Sequence, residues 1–211
     1  MTTTGTDRLV QLVQRVENAT ELDRADAVLG PLASALTSDP RRRALLRGEW
    51  FGHGIHPVLT DLPLGMWLSA SVLDFIGGKG GRKASRRLIG LGILSFFPTA
   101  LTGWAEWSGV QAQRDRRTGI AHALLQGTGM VAYMASWNAR RRGKHLKGML
   151  WSTLGGTLAI GGSYLGGHLS EVRKISTSHP AFQVDHAFDT PDDGSLEARI
   201  ERDFNEGHSE F

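Results

Sequence analysis

GHGIHPVLTDLPLGMWLSASVLDFIG, residues 52–77, decides the fold. Two histidines, His53 and His56, open the stretch, and an apolar run of about one bilayer thickness follows; a spanning helix needs roughly 20 mostly apolar residues. Pro57 suits a first helical turn, where its missing N–H costs nothing. Asp61 sits one turn in and Asp74 near the far end. Three more apolar stretches follow, so the spacing predicts spanning helices over about 56–77, 88–106, 118–138 and 149–168. Pro98 predicts a kink in the second, tolerable where neighbouring helices satisfy the freed carbonyl. The fold class expected is all-α: an integral membrane four-helix up-down bundle over residues 51–170.

Outward from the bundle the chain turns polar. Residues 1–50 balance seven basic against seven acidic side chains. Leu9, Leu12, Val13 and Val16 share one helical face, Leu22 to Leu36 supply a second, and Ser38-Asp39-Pro40 opens a third short piece. This amphipathic segment is expected to lie as a helical hairpin across one end of the bundle. The opening residues lack the basic and apolar regions of a signal peptide, so the first spanning helix is expected to act as the insertion signal. Residues 171–211 form an acidic tail, partly disordered by composition, with one short helix at 196–204.

The 211 residues include no cysteine, which removes disulfides, thiol catalysis and Cys-ligated zinc or iron–sulfur clusters. No phosphate loop and no Ser-His-Asp spacing is present. Residues 79–87 and 140–147 each hold five basic residues and no acid. They fall at one end of an up-down bundle, and the positive-inside rule makes that end cytoplasmic. The histidine end and both termini then face outward. Membrane topology accounts for these basic clusters without nucleic acid. Asp74 is expected to pair with Arg86 or Arg87. Most of the six tryptophans, Trp67 among them, read as interfacial anchors.

His56, His122 and His168 fall at one end of the expected bundle. His122, Gln126, Gly129 and Tyr133 share a stripe, and so do Thr157, Gly161, Tyr164 and His168. Polar or small residues on one stripe of an apolar helix should face the bundle interior. His122 and His168 are therefore expected to face each other, with Gly129 and Gly161 lining a flat slot beneath them. Two histidines on neighbouring helices suit the axial positions of a haem, and Arg114, Arg116 and Arg117 lie where propionates would emerge. The same end offers a divalent metal ion (zinc, copper or iron) the set His53, His56, Asp61, His122 and His168, with Glu106 as another carboxylate. The glycine pairs in the fourth helix, including the GxxxG of Gly162 and Gly166, read as close-packing positions. LTGWAE at 101–106 against LGGHLSE at 165–171 suggests a duplicated helix pair.

GHGIHPVLTDLPLGMW, PTALTGWAEW, GIAHALL and SYLGGHL, in that order, resemble the bacterial membrane family called domain of unknown function 2231. The resemblance covers about residues 45–172 and includes His53, His56, Asp61, His122 and His168. It implies a four-helix integral membrane protein. Some relatives look fused to a Rieske iron–sulfur domain, which implies electron transfer as context; with no cysteine, this chain holds no such cluster.

The leading expectation is a membrane redox module holding one haem b, with His122 and His168 as axial ligands and His56 as substitute for either. One histidine layer allows one haem. The alternatives are a metal-dependent membrane protein built on the same His/Asp cluster, with metal-activated water, and a cofactor-free accessory subunit of a larger membrane complex. Expected partners are the bilayer, a redox protein or larger complex, and a second copy in a homo-oligomer. Whether the chain is an enzyme stays open at this level.

Overall fold

A computed structural model describes residues 5–175. Seven α-helices follow in order: α1 (Gly5–Glu17), α2 (Asp23–Leu36), α3 (Pro40–Arg47), α4 (His56–Ile76), α5 (Gly78–Trp107), α6 (Gln113–Arg141) and α7 (His145–Gly167). Short 3-10 turns lie between α1 and α2 (Thr20–Leu22) and between α3 and α4 (Glu49–Phe51), and a π-helical turn, His168–Val172, extends α7. No strand occurs among the described residues. Most of the acidic tail, with the helix expected at 196–204, lies outside them.

The three short helices are those the periodicity predicts. Asp39 caps α3 by accepting the Arg42 backbone N–H at 2.8 Å, and Pro40 takes the first helical position. The boundaries of the long helices differ from expectation. Residues 79–87 are the first turns of α5, because the chain reverses over Gly77 and Gly78, the latter at φ 51°. At the other basic cluster α6 runs on to Arg141, and the turn occupies 142–144 around Gly143 at φ 75°. Lysine and arginine are good helix formers; the breaks fall at glycine, whatever the local charge. α5 also continues through Pro98. In α4, Pro63 frees the Leu59 carbonyl, and the Thr99 hydroxyl of α5 donates to it at 3.1 Å.

α4 packs on α5 and α6 on α7; the two pairs meet through α5 against α6 and α4 against α7. His56, at the start of α4, meets Gly103 near the end of α5, while Asp74 near the end of α4 accepts from Ser85 near the start of α5 at 2.7 Å. Each pair is therefore an antiparallel hairpin. α4 and α6 sit diagonally and touch through side chains in three layers. The His56 and His122 rings lie 6.3 Å apart, Trp67 stacks on Tyr133 at 4.0 Å, and Arg140 pairs with Asp74 at 2.5 Å.

The layers follow one rule. Their members are 66 residues apart on α4 and α6, and the positions they pack against, Gly103 and Gly166, Gly92 and Gly155, Ser85 and Gly148, are 63 apart on α5 and α7. The two hairpins are related by a pseudo-two-fold axis running along the long helices. The suspected duplication is thus present in three dimensions, one residue out of register from the pairing of Leu101 with Leu165.

α4 and α5 are long and apolar enough to cross a membrane, and only 17% and 28% of their most apolar stretches is buried. The core helix of a soluble protein would be mostly covered. α6 and α7 are also long enough, 29 and 23 residues, but their glycine-rich and polar stretches are less hydropathic. All four expose large apolar groups, among them Leu68, Phe75, Leu94, Val131, Leu150 and Ile160.

Candidate functional site

The histidine layer is built by two hairpins placing the same residue in the same notch. His56 is the first residue of α4, and its Nδ1 donates to the Thr99 carbonyl at 2.9 Å. Its ring occupies the space above Gly103, where a Cβ would come within 2.7 Å of Cε1. His122, on α6, donates from Nδ1 to the Gly162 carbonyl at 2.7 Å and fills the notch at Gly166, where a Cβ would come within 2.9 Å of Cε1. In each hairpin the glycine is four residues beyond the accepting carbonyl, one helical turn.

A carbonyl can only accept, so both Nδ1 atoms carry the hydrogen. In the neutral tautomer this leaves each Nε2 with a lone pair, and neither Nε2 has a hydrogen-bond partner among the described residues. Anchoring one ring nitrogen on a backbone carbonyl is how proteins orient a ligating histidine. Glu106 supports the layer by accepting the His56 backbone N–H at 3.3 Å.

His168 belongs elsewhere. It lies two residues past Gly166, about 200° round the helix, and its Nε2 donates to Glu17 of α1 at 2.9 Å. The expected pairing of His122 with His168 is therefore replaced by His122 with His56. The stripe Thr157, Gly161, Tyr164, His168 does not face inward: Thr157 is exposed and Tyr164 is 42% exposed. The buried face of α7 is Gly148, Ser152, Gly155, Ala159, Gly162 and Leu165.

The expected slot is closed as well. Gly129 lies against the Gly155 carbonyl, 3.1 Å from where its own Cβ would be, and so serves close packing of α6 on α7. Gly161 faces Leu125. Asp61 and His53 are exposed. Among the described residues no three His, Asp or Glu side chains gather as a metal site requires, so the five-ligand set is not assembled.

The arginines at this end face the N-terminal segment. Arg117 donates to both Asp23 oxygens, at 2.7 and 2.8 Å, and Arg116 forks onto Asp26 while lying 4.3 Å over the Trp107 ring. Arg173 pairs with Glu17 and approaches Asp115 at 3.2 Å. Arg47 donates to the Ala105 carbonyl at 2.9 Å and to Ser108. Helices α1–α3 are thereby tied to the histidine end of both hairpins. The hydrogen bonds from Arg117 hold Asp23 down at about 2, and those from Arg116 lower Asp26. Burial pushes Glu17 up, but bonds from Arg173 and His168 outweigh it and leave the group below its ordinary value. Arg114 keeps a side chain 59% exposed.

Two layers escaped the sequence reading. Trp67 is 2% exposed and stacked on Tyr133, so it is no interfacial anchor. Asp74 pairs with Arg140, and not with Arg86 or Arg87, inside a shell of Ser85, Ser136 and Ser152 hydroxyls. A signal was available. α4 and α6 each carry a histidine, an aromatic residue 11 positions on and a charge 18 positions on.

Residues 52–178 match the family described as "Predicted membrane protein (DUF2231)". No curated protein and no solved structure matches the chain.

Proposed function

Because the chain belongs to the DUF2231 family of predicted membrane proteins, we propose that its four long helices form a membrane-spanning bundle that holds one haem b between His56 and His122. The basic ends of the hairpins would be cytoplasmic and the histidine end outward, as the positive-inside rule requires. The exposed apolar groups on all four helices support embedding in lipid.

The observation that carries the haem is the histidine pair itself. Two imidazoles on diagonal helices, each pinned through Nδ1, present Nε2 atoms without a partner among the described residues, with ring centres 6.3 Å apart and planes at 87°. Two imidazoles sharing one ion at about 2 Å bond lengths have ring centres up to about 6 Å apart. A bare zinc or copper ion would need further protein ligands, which the described residues of this end do not gather. A haem would bring ring nitrogens of its own and ask the protein for only two more donors, which His56 and His122 would supply. The donor set fits that demand.

When bound, the haem would supply reversible one-electron exchange. The chain's own residues set its surroundings. The Thr99 and Gly162 carbonyls orient the two imidazoles, Gly103 and Gly166 make room for them, and the lower two layers fix the spacing of α4 and α6. Arg117 is committed to Asp23, so Arg114 is the arginine left for a propionate. With one histidine layer, electrons enter and leave at the outward end. The function is a non-enzymatic redox module.

Absorption spectra of the detergent-purified protein, before and after dithionite, test this. Sharp α and β bands on reduction are expected. They should vanish in His56→Ala and in His122→Ala and survive in His168→Ala. A featureless spectrum from folded protein grown with ample haem overturns the proposal.

A further inference from the structure

The pseudo-two-fold relates the outer faces of the two hairpins, and those faces differ in chemistry. On the adjoining helices α4 and α7, Asp61, Gly65, Ser69, Thr153, Thr157 and Tyr164 are exposed. The two-fold carries them onto Gly127, Val131, Ala135, Gly90, Leu94 and Leu101 of α6 and α5. That second face is what lipid asks for, with Val131 61%, Leu94 66% and Leu101 48% exposed. The first presents a carboxylate and four hydroxyls at the same depths. The Thr153 and Thr157 hydroxyls donate to the Met149 and Thr153 carbonyls of their own helix, so the demand rests on Asp61: an ionisable side chain in a spanning segment almost always faces protein or a water-filled cavity.

We propose that the α4/α7 face is the contact surface between two copies of this chain, related by a two-fold axis along the membrane normal. The donors and acceptors argue for self-association. Asp61 only accepts and makes no hydrogen bond or ion pair among the described residues. The two-fold carries it to position 127, beside Gln126, and Gln126 meets Gly162. Asp61 therefore lies level with the turn of α7 that runs from Gly161 to Tyr164. The Tyr164 hydroxyl has no partner within its own chain among the described residues. Laying α4 of one copy on α7 of the other brings each Asp61 carboxylate to the other copy's Tyr164 hydroxyl, twice over, as an isologous contact requires. A Cβ at Gly65 would meet nothing within 4 Å, so the α4 backbone is open to a close neighbour there.

The inference rests on the membrane embedding proposed above and is independent of the haem. The absence of cysteine makes it testable in native membranes. Gly65→Cys and Thr157→Cys would be placed in separately tagged full-length copies, co-expressed and oxidised. A disulfide joining the two tags is expected. The two-fold-related pair, Val131→Cys with Leu94→Cys, should cross-link at least tenfold less. Asp61→Ala should lower the first cross-link several-fold while leaving the protein in the carbonate-resistant membrane fraction. In mild detergent the wild-type protein should have twice the 23.0 kDa chain mass. Equal cross-linking of both pairs overturns the assignment, as does a single-chain mass with neither pair linked. Loss of the protein from the carbonate-resistant fraction overturns the embedding as well. Retention there without cross-links removes the dimer alone.

Discussion

At the scale of single residues, the histidine layer depends on atoms that are missing. His56 and His122 reach their carbonyls because positions 103 and 166 have no side chain. A methyl there would lie 2.7 Å and 2.9 Å from an imidazole carbon. Overpacking of this kind costs about 1–3 kcal/mol. Gly103→Ala and Gly166→Ala should each lower the melting temperature in detergent and weaken the reduced haem spectrum. Gly127→Ala, with nothing within 4 Å of its Cβ position, should change neither. Equal effects at all three positions would show that the notches do not position the rings. The same glycines explain what the sequence hid. That His122 points inward was legible, because it shares a stripe with Gln126, Gly129 and Tyr133. Its partner was not, because half of the inner face of α7 is glycine and gives little hydropathy signal, while the polar stripe ending at His168 faces outward.

At the scale of elements, the long apolar helices and the three short amphipathic ones were legible from periodicity and from the Asp39-Pro40 cap. Their ends were not, because charged turns such as 79–87 continue a helix as readily as they leave it. What no periodicity shows is that α1 and α2 are held to α6 and to the end of α7 by ion pairs. Glu17, Asp23 and Asp26 are all held below their ordinary carboxyl values in the folded protein. A group with a depressed folded value adds stability above its unfolded pKa, near 4, and loses that contribution as pH falls through the folded value. The ties should therefore hold at neutral pH and loosen between about pH 4 and about pH 2, where Asp23 titrates. Spin labels on α1 and α6 should report one narrow distance at pH 7 and a broadened one near pH 2. A distribution unchanged over that range would mean that apolar packing, such as that of buried Val13, holds the segment without the charges.

At the scale of the whole molecule, the two hairpins repeat the same spacing of layers but are opposite in charge at the layer farthest from the histidines. Position 74 is aspartate, and its two-fold mate, position 140, is arginine, with side chains 4% and 1% exposed. A symmetric pair at an axis would set like charges together, so the duplication persists here only because the two copies have diverged. The shell diverged with them. Ser136 and Ser152 serve Arg140, whereas their two-fold equivalents beside Asp74 are Ala70 and Ile89. Removing one partner of a buried pair strands the other and costs about 3–5 kcal/mol, while replacing both with apolar residues of similar volume is close to neutral. Asp74→Leu or Arg140→Met alone should therefore lower the melting temperature in detergent sharply, and the double variant should recover most of the loss. The exchanged pair, Asp74→Arg with Arg140→Asp, keeps the attraction but takes the guanidinium from its two serines. It should fall between wild type and the single variants. An exchanged pair as unstable as either single variant would mean that the serine shell, more than the opposite charges across the axis, holds the two hairpins in register.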